Sequence, residues 1–82
     1  MAPAYRGGMH ATFEQALGAA LRQRRSALGY SQESFADAIR MHRTYYSAIE
    51  RGEKNLQLST LRRVCEGLGV PVWQIVREAE ED

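Results

Sequence analysis

Residues 31–51, SQESFADAIRMHRTYYSAIER, decide the fold, because they contain two short helical patterns separated by a tight turn. Ser31 is a favoured residue for the start of a helix, and Phe35 and Ile39 follow at the spacing of one helical face. Residues 40–42 interrupt this pattern and predict the turn. The stretch therefore predicts a helix, a turn of about three or four residues and a second helix.

The second helix of this stretch, at about residues 43–51, carries basic and hydroxyl groups on the side opposite its apolar residues. Tyr46 and Ile49 lie three residues apart and face inward. The outward residues are Arg43, Thr44, Tyr45 and Ser47. Such a pair of helices fits a helix-turn-helix that reads DNA. An ordinary helical hairpin inside a small bundle is the alternative that the pattern alone leaves open.

Composition limits the chain to one small domain in a reducing compartment. Its 82 residues suit a single core, and no apolar run reaches the roughly 18 residues of a membrane span. Residues 1–10 lack the apolar segment of a signal peptide. Cys65 is the single cysteine, so an internal disulfide is impossible within this sequence. These features predict a cytoplasmic protein without a membrane partner.

The formal net charge of +1 conceals an uneven distribution along the chain. Residues 1–63 contain ten Lys and Arg against five Asp and Glu, whereas residues 64–82 contain one against five. Local charge, more than the total, determines the attraction to a polyanion. The positive part can therefore face DNA phosphates, and the acidic end is interpreted as a solubilising tail.

The first eleven residues show no periodicity and predict a disordered N-terminal extension, followed by one helical domain at residues 12–80. Thr12 and Gln15 have the spacing of a capping box, and Gly29 is suited to end the first helix. Gly18 is predicted to weaken this helix. The predicted inward residues of the first helix are Phe13, Leu17, Ala20, Leu21 and Leu28.

Two more helices complete a predicted all-α fold of five helices. The fourth runs from Gln57 to Gly69, and the fifth begins at Pro71. The inward residues of the fourth are Leu58, Leu61, Val64, Cys65 and Leu68, and those of the fifth are Val72, Ile75, Val76 and Ala79. Trp73 falls beside the last stripe. It either leans on the core or anchors a contact between subunits.

Motifs that would indicate catalysis or a metal site are lacking. His10 and His42 are far apart in sequence and have no carboxylates at ligand spacing. The sequence contains neither a glycine-rich phosphate loop nor a nucleophile elbow. A core this small leaves little room for a substrate pocket. We therefore expect no enzyme activity, cofactor, metal or small-molecule ligand.

From the helix-turn-helix onward the sequence resembles the XRE family, the helix-turn-helix domains of the phage-repressor and Cro type. The resemblance covers roughly residues 12–79. It rests on residues 31–33 with Ala36, residues 43–52, Asn55-Leu56, Leu61 and residues 68–70. The phrase RTYYSAIERGEKNL is most similar to small stand-alone regulators such as the controller proteins of restriction–modification systems.

The resemblance implies a compact five-helix, lambda-repressor-like domain that binds a palindromic operator in double-stranded DNA as a homodimer and regulates transcription. It implies Gln32 on a phosphate and Tyr45 near the backbone or base edges. It implies contacts in the major groove for Arg43, Thr44 and Ser47. It implies contacts with flanking phosphates for Lys54 and Asn55. Arg25 and Glu50 would form a structural ion pair.

Three features of the helix-turn-helix set this sequence apart from the family pattern, and Trp73 stands where a polar residue is common. Arg40 replaces the usual Gly or Asn of the turn, and would be strained at a positive φ. His42 replaces the usual Ser, Thr or Asp cap. Ala48 is short where some relatives contact a base.

The fifth helix is the expected dimer surface, through Trp73, Ile75 and Val76. Trp73 and the acidic tail also motivate an alternative function from another class. In that alternative, the same fold serves as a protein-interaction module, such as an antitoxin-like or adaptor subunit.

Overall fold

A computed structural model describes residues 11–81, which fold into five α-helices with no strand among them. The helices are α1 (Phe13–Ala27), α2 (Gln32–Ala38), α3 (Arg43–Glu50), α4 (Leu58–Leu68) and α5 (Val72–Glu81). The predicted all-α class and helix count are confirmed. The proposed disordered extension lies outside the described residues, except for Ala11. Within residues 11–81, no helix is both long and apolar enough to cross a membrane.

Side-chain caps explain where the first two helices begin. The Thr12 hydroxyl accepts the Gln15 backbone N–H at 3.1 Å, and the Gln15 side chain accepts the Thr12 N–H at 3.0 Å. Ser31 and Ser34 form a second reciprocal pair at the start of α2. Each pair satisfies two N–H groups that the helix itself leaves free. The helix-turn-helix therefore begins at a residue fixed by local chemistry.

The core lies where α1 packs against α3 and α5, with α2 and α4 closing its sides. Phe35 of α2 and Tyr46 of α3 are fully buried, and their ring centroids are 5.2 Å apart. This tilted contact joins the two helices of the helix-turn-helix directly. Aromatic pairs of this kind add about 0.5–1.5 kcal/mol to the free energy of burial.

Gly18 allows α1 to approach the end of α3 closely, a role that the sequence alone does not predict. A Cβ atom at this position would lie 2.5 Å from the carbonyl oxygens of both Ile49 and Glu50. Any side chain would push α1 away from the C-terminal end of α3. The loss of helix propensity is the cost of this contact.

The turn between α2 and α3 contains a strained residue that α4 helps to hold. Arg40 has φ of 56°, the left-handed conformation in which a non-glycine residue is uncommon. Arg63 of α4 donates its Nε to the carbonyl of Ile39 at 2.8 Å, and its Nη2 to the carbonyl of Arg40. The carbonyls at the end of α2 thus gain a cationic partner.

Two apolar residues lie elsewhere than the periodicity predicts, and a third lies inside the chain, as the periodicity predicts, and not at the expected dimer surface. Leu28 and Leu58 were expected to face inward but are 55% and 75% exposed. Leu28 follows the last residue of α1, so the helical spacing no longer applies to it. Ile75 was expected at a dimer surface, but it is 0% exposed and belongs to the core of the single chain.

A buried ion pair joins α1 to the end of α3. Arg25 donates its Nε to Glu50 Oε2 at 2.7 Å and its Nη2 to Glu50 Oε1 at 3.0 Å. The same guanidinium donates to the carbonyl of Tyr30 at 2.7 Å, just before α2. The implied Arg25–Glu50 pair is therefore present, and it links α1, α3 and the segment that leads into α2.

The carboxylate of Glu50 should make the free energy of unfolding depend on pH in the acidic range. Burial works to raise the pKa of Glu50, but hydrogen bonds from Arg25 and Gln32 outweigh burial and lower it. A carboxylate with a lower pKa in the folded state stabilises the fold above its unfolded-state pKa of about 4.3. That contribution declines as pH falls through the lower folded-state value.

We therefore predict that Glu50→Gln reduces the free energy of unfolding at neutral pH and flattens its dependence on pH below about pH 5. Glu50→Ala, which leaves the Arg25 guanidinium buried without its carboxylate, should cost about 3–5 kcal/mol. Denaturant titrations between about pH 3 and 7 measure both effects. Glu78→Gln is the control, since its pair with Arg24 is about one-third exposed. An unchanged pH profile in Glu50→Gln would contradict the prediction.

Candidate nucleic-acid interface

The start of α3 presents two side chains to solvent on a fixed backbone. Arg43 and Thr44 are the first two residues of the helix, and both are exposed. His42 caps the helix, because its Nδ1 accepts the Thr44 backbone N–H at 3.2 Å. A ring nitrogen thus replaces the hydroxyl or carboxylate that usually caps this position. The first turn of α3 offers a guanidinium and a hydroxyl side by side.

Gln32 and Ser47 lie behind this surface and are bonded to each other. The Ser47 hydroxyl donates to Gln32 Oε1 at 2.9 Å, and Gln32 Nε2 donates to Glu50 Oε1 at 2.8 Å. Ser47 is only 9% exposed. The resemblance implies a phosphate contact for Gln32 and a major-groove contact for Ser47. In the structure, without DNA, both side chains form a bridge between α2 and α3.

A shallow groove runs along the other side of α3, with a volume of about 590 Å³. It is lined by His42, Thr44, Tyr45, Ala48, Arg51, Glu53 and Lys54. The Lys54 ammonium lies 5.4 Å from the centroid of the half-buried Tyr45 ring, a cation–π arrangement. Asn55 is exposed next to Lys54 but does not line the groove. The short Ala48 side chain leaves the middle of the groove open.

Arg51 is a candidate binding residue in addition to those predicted from the sequence. It lines both the large groove and a cavity of about 220 Å³ that it shares with Arg43, Thr44 and Ser47. Arg43, Ser47 and Arg51 are spaced four residues apart, so they lie along one face of a helix. The four-residue spacing is the sequence signal that indicates Arg51 as a residue of the same surface.

Glu53 places a carboxylate within the same groove. Arg51 donates its Nε to Glu53 Oε2 at 2.9 Å and its Nη2 to Glu53 Oε1 at 3.1 Å. These bonds, together with the nearby Lys54 charge, lower the pKa of Glu53. The carboxylate is therefore ionised at neutral pH and occupies the fork of the Arg51 guanidinium.

The face of α5 that carries Trp73 presents an exposed apolar side chain. The Trp73 side chain is 63% exposed, and Val76 is partly buried against the core. Arg24 of α1 forms an ion pair with Glu78, donating its Nε to Oε1 at 3.1 Å. This pair helps to hold α5 against α1. Ile75 lies inside, so the expected dimer surface is reduced to Trp73 and Val76.

Groups suited to metal binding or nucleophilic chemistry do not assemble in the described part of the chain. No cluster of three or more His, Cys, Asp or Glu residues there could hold a metal ion. Cys65 is buried in the core, where burial raises the pKa of its thiol to about 11. Its thiol remains protonated at neutral pH and is a weak nucleophile.

Known proteins share this sequence pattern and this arrangement of helices. Residues 16–77 match the family described as "Helix-turn-helix domain". The control protein C.MunI from Mycoplasma sp. is 39% identical over 59 residues, which cover 72% of this chain and 80% of that protein.

Solved structures are similar as well. The clp gene regulator ClgR from Corynebacterium glutamicum is 38% identical, with a TM-score of 0.81 over 84% of this chain and 88% of that one. The restriction–modification controller C.AhdI from Aeromonas hydrophila is 30% identical, with a TM-score of 0.71 over 74% of this chain and 92% of that one.

These relatives are regulators and not enzymes. They share the helix-turn-helix, which in this chain holds the exposed Arg43 and Thr44. The chain therefore belongs to the XRE-type helix-turn-helix family of DNA-binding transcription regulators, which includes the restriction–modification controller proteins.

Proposed function

We propose that this protein is a cytoplasmic transcription regulator that binds a palindromic operator as a homodimer and reads it with the first turn of α3. The observation that carries the proposal is the exposed pair of Arg43 and Thr44 at the start of a capped helix. In helix-turn-helix proteins, the first residues of the second helix contact base edges in the major groove. Arginine can bind O6 and N7 of guanine through two parallel hydrogen bonds.

The bridge behind α3 supports base reading, because it fixes the angle of the helix. Gln32 connects the start of α2 with the middle and the end of α3 through Ser47 and Glu50. We assign Gln32 and Ser47 mainly to positioning α3. Gln32 Nε2 has a second N–H that could still reach a phosphate.

Charged and polar groups beside α3 suit the DNA backbone. Lys54 and Asn55 are exposed next to the large groove, and Tyr45 forms its wall. We propose that Lys54 and Asn55 bind flanking phosphates and that Tyr45 contacts the backbone or a base edge. Such contacts set affinity and register but carry little sequence information.

Removing the Arg43 guanidinium should abolish sequence preference. We expect Arg43→Ala to bind a duplex selected from a random pool no better than a scrambled duplex, a loss of about 1–3 kcal/mol of discrimination per guanine contact. Gel shifts with both duplexes measure the ratio. Arg62→Ala, on the exposed side of α4, is the control for the same loss of charge. Intact preference in Arg43→Ala would exclude the role assigned to Arg43.

Lys54 should act equally on every sequence. We expect Lys54→Ala to weaken binding to selected and scrambled duplexes by the same factor, and to lower the slope of log K against log salt by about one. Titrations at several salt concentrations give the slope. A change in the ratio between the two duplexes would show that Lys54 reads bases.

Trp73 should support dimerisation and thereby affinity for a palindrome. One helix-turn-helix makes few contacts, so two copies bound one DNA turn apart supply the affinity of a specific complex. We expect Trp73→Ala to shift the protein towards monomer in sedimentation velocity and to weaken operator binding. A selected duplex without two-fold symmetry would contradict the dimer. Absence of any salt-dependent DNA binding by the wild-type protein would favour the protein-interaction module.

A further inference from the structure

We propose that Glu53 limits the affinity of this protein for DNA by occupying Arg51, the cation that would otherwise bind the duplex. This inference rests on the proposed function, since it concerns how strongly the same surface binds DNA. It gives Glu53 the role of an internal competitor for a DNA-binding arginine. Glu53 lies beyond residues 31–51, so the helix-turn-helix motif does not predict this role.

The position of Arg51 makes it a DNA-facing residue. It caps the C-terminal end of α3, about two helical turns beyond Arg43 on the same side of the helix, and both residues line the same small cavity. Arg51 also borders the large groove that contains Lys54. A duplex that contacts Arg43 and Lys54 would therefore lie within reach of the Arg51 guanidinium.

The contact with Glu53 occupies the atoms that DNA would use. A guanidinium binds a phosphate or a guanine edge through a fork of two parallel N–H groups. In the structure, two donors of Arg51 bond to the two oxygens of Glu53, at 2.9 and 3.1 Å. The carboxylate thus presents a planar pair of acceptors to Arg51 in the absence of DNA. DNA must replace this partner before Arg51 can bind.

Glu53 also opposes DNA directly. Its side chain is more than half exposed and lies on the groove lined by His42, Tyr45 and Lys54. When Arg51 turns to the duplex, the carboxylate loses its counter-charge and faces phosphates of the same sign. When a phosphate replaces the carboxylate, Arg51 still has an anionic partner, but Glu53 no longer has a cationic one. The effect applies to every duplex, because it requires no particular base.

The experiment is a double-mutant cycle on DNA binding, with Glu53→Gln, Arg51→Ala and the double variant. Affinities are measured at low and moderate salt, with a selected duplex and a scrambled duplex. We expect Glu53→Gln to tighten binding to both duplexes by about two- to tenfold at low salt, and to steepen the salt slope by about one. Glu66→Gln, which removes one exposed negative charge on α4, is the control.

The double variant separates competition from simple repulsion. If Glu53 acts by occupying Arg51, the gain from Glu53→Gln is smaller when Arg51 is already alanine. An equal gain in both backgrounds would overturn the proposal, because the carboxylate would then act only through its charge. Unchanged or weaker binding by Glu53→Gln would overturn it as well. Failure of the wild-type protein to bind any duplex would instead refute the proposed function.

Discussion

The buried ion pair between Arg25 and Glu50 is the interaction on which the DNA-facing surface depends. Glu50 is the last residue of α3, and its carboxylate is bonded to Arg25 from α1 and to Gln32 from α2. Gln32 in turn holds Ser47 in the middle of α3. One carboxylate therefore fixes α3 relative to both preceding helices. Most buried ion pairs gain little net stability, so the contribution of this one lies in orientation as well as in energy.

Close contact at one glycine makes this ion pair possible. Gly18 lies against the carbonyls of Ile49 and Glu50, so α1 approaches the end of α3 at backbone distance. The approach brings Arg25, two helical turns further along α1, to the Glu50 carboxylate. Burial next to Tyr46 excludes water, and each hydrogen bond to the carboxylate is strengthened by the low local dielectric. The packing of the backbone and the electrostatics of the pair thus support each other.

Much of the fold could be predicted because its signals are local. The Thr12–Gln15 capping box and the apolar periodicity of α2 and α3 act within a few residues. The exposure of Leu28 and Leu58 depends on where a helix ends or begins, and periodicity alone does not contain this information. Gly18 shows the same limit, because its partner is a backbone more than 30 residues away in the sequence.

The DNA-facing residues could be predicted only in part, since side chains predicted to point outward also bond to each other. Arg43, Thr44 and Lys54 are exposed, as a reading or phosphate-binding role requires. Gln32 was assigned to a phosphate through the family resemblance and Ser47 to DNA as an outward residue of the second helix, and the structure joins these two side chains to each other. Their hydroxyl and amide complement each other across two helices, which a list of outward positions does not reveal.

Cations beside α3 also bond to other side chains of the protein, which changes how the charge of the interface should be counted. Arg51 and Lys54 both border the large groove, but two bonds already join Arg51 to Glu53. The Lys54 ammonium lies over the Tyr45 ring, a weaker contact that a phosphate can displace at little cost. Within residues 11–81, Arg43 forms no ion pair with a carboxylate, in contrast to Arg51. Affinity for DNA should therefore follow the cations that remain available after internal pairing, and not the number of Lys and Arg residues along α3.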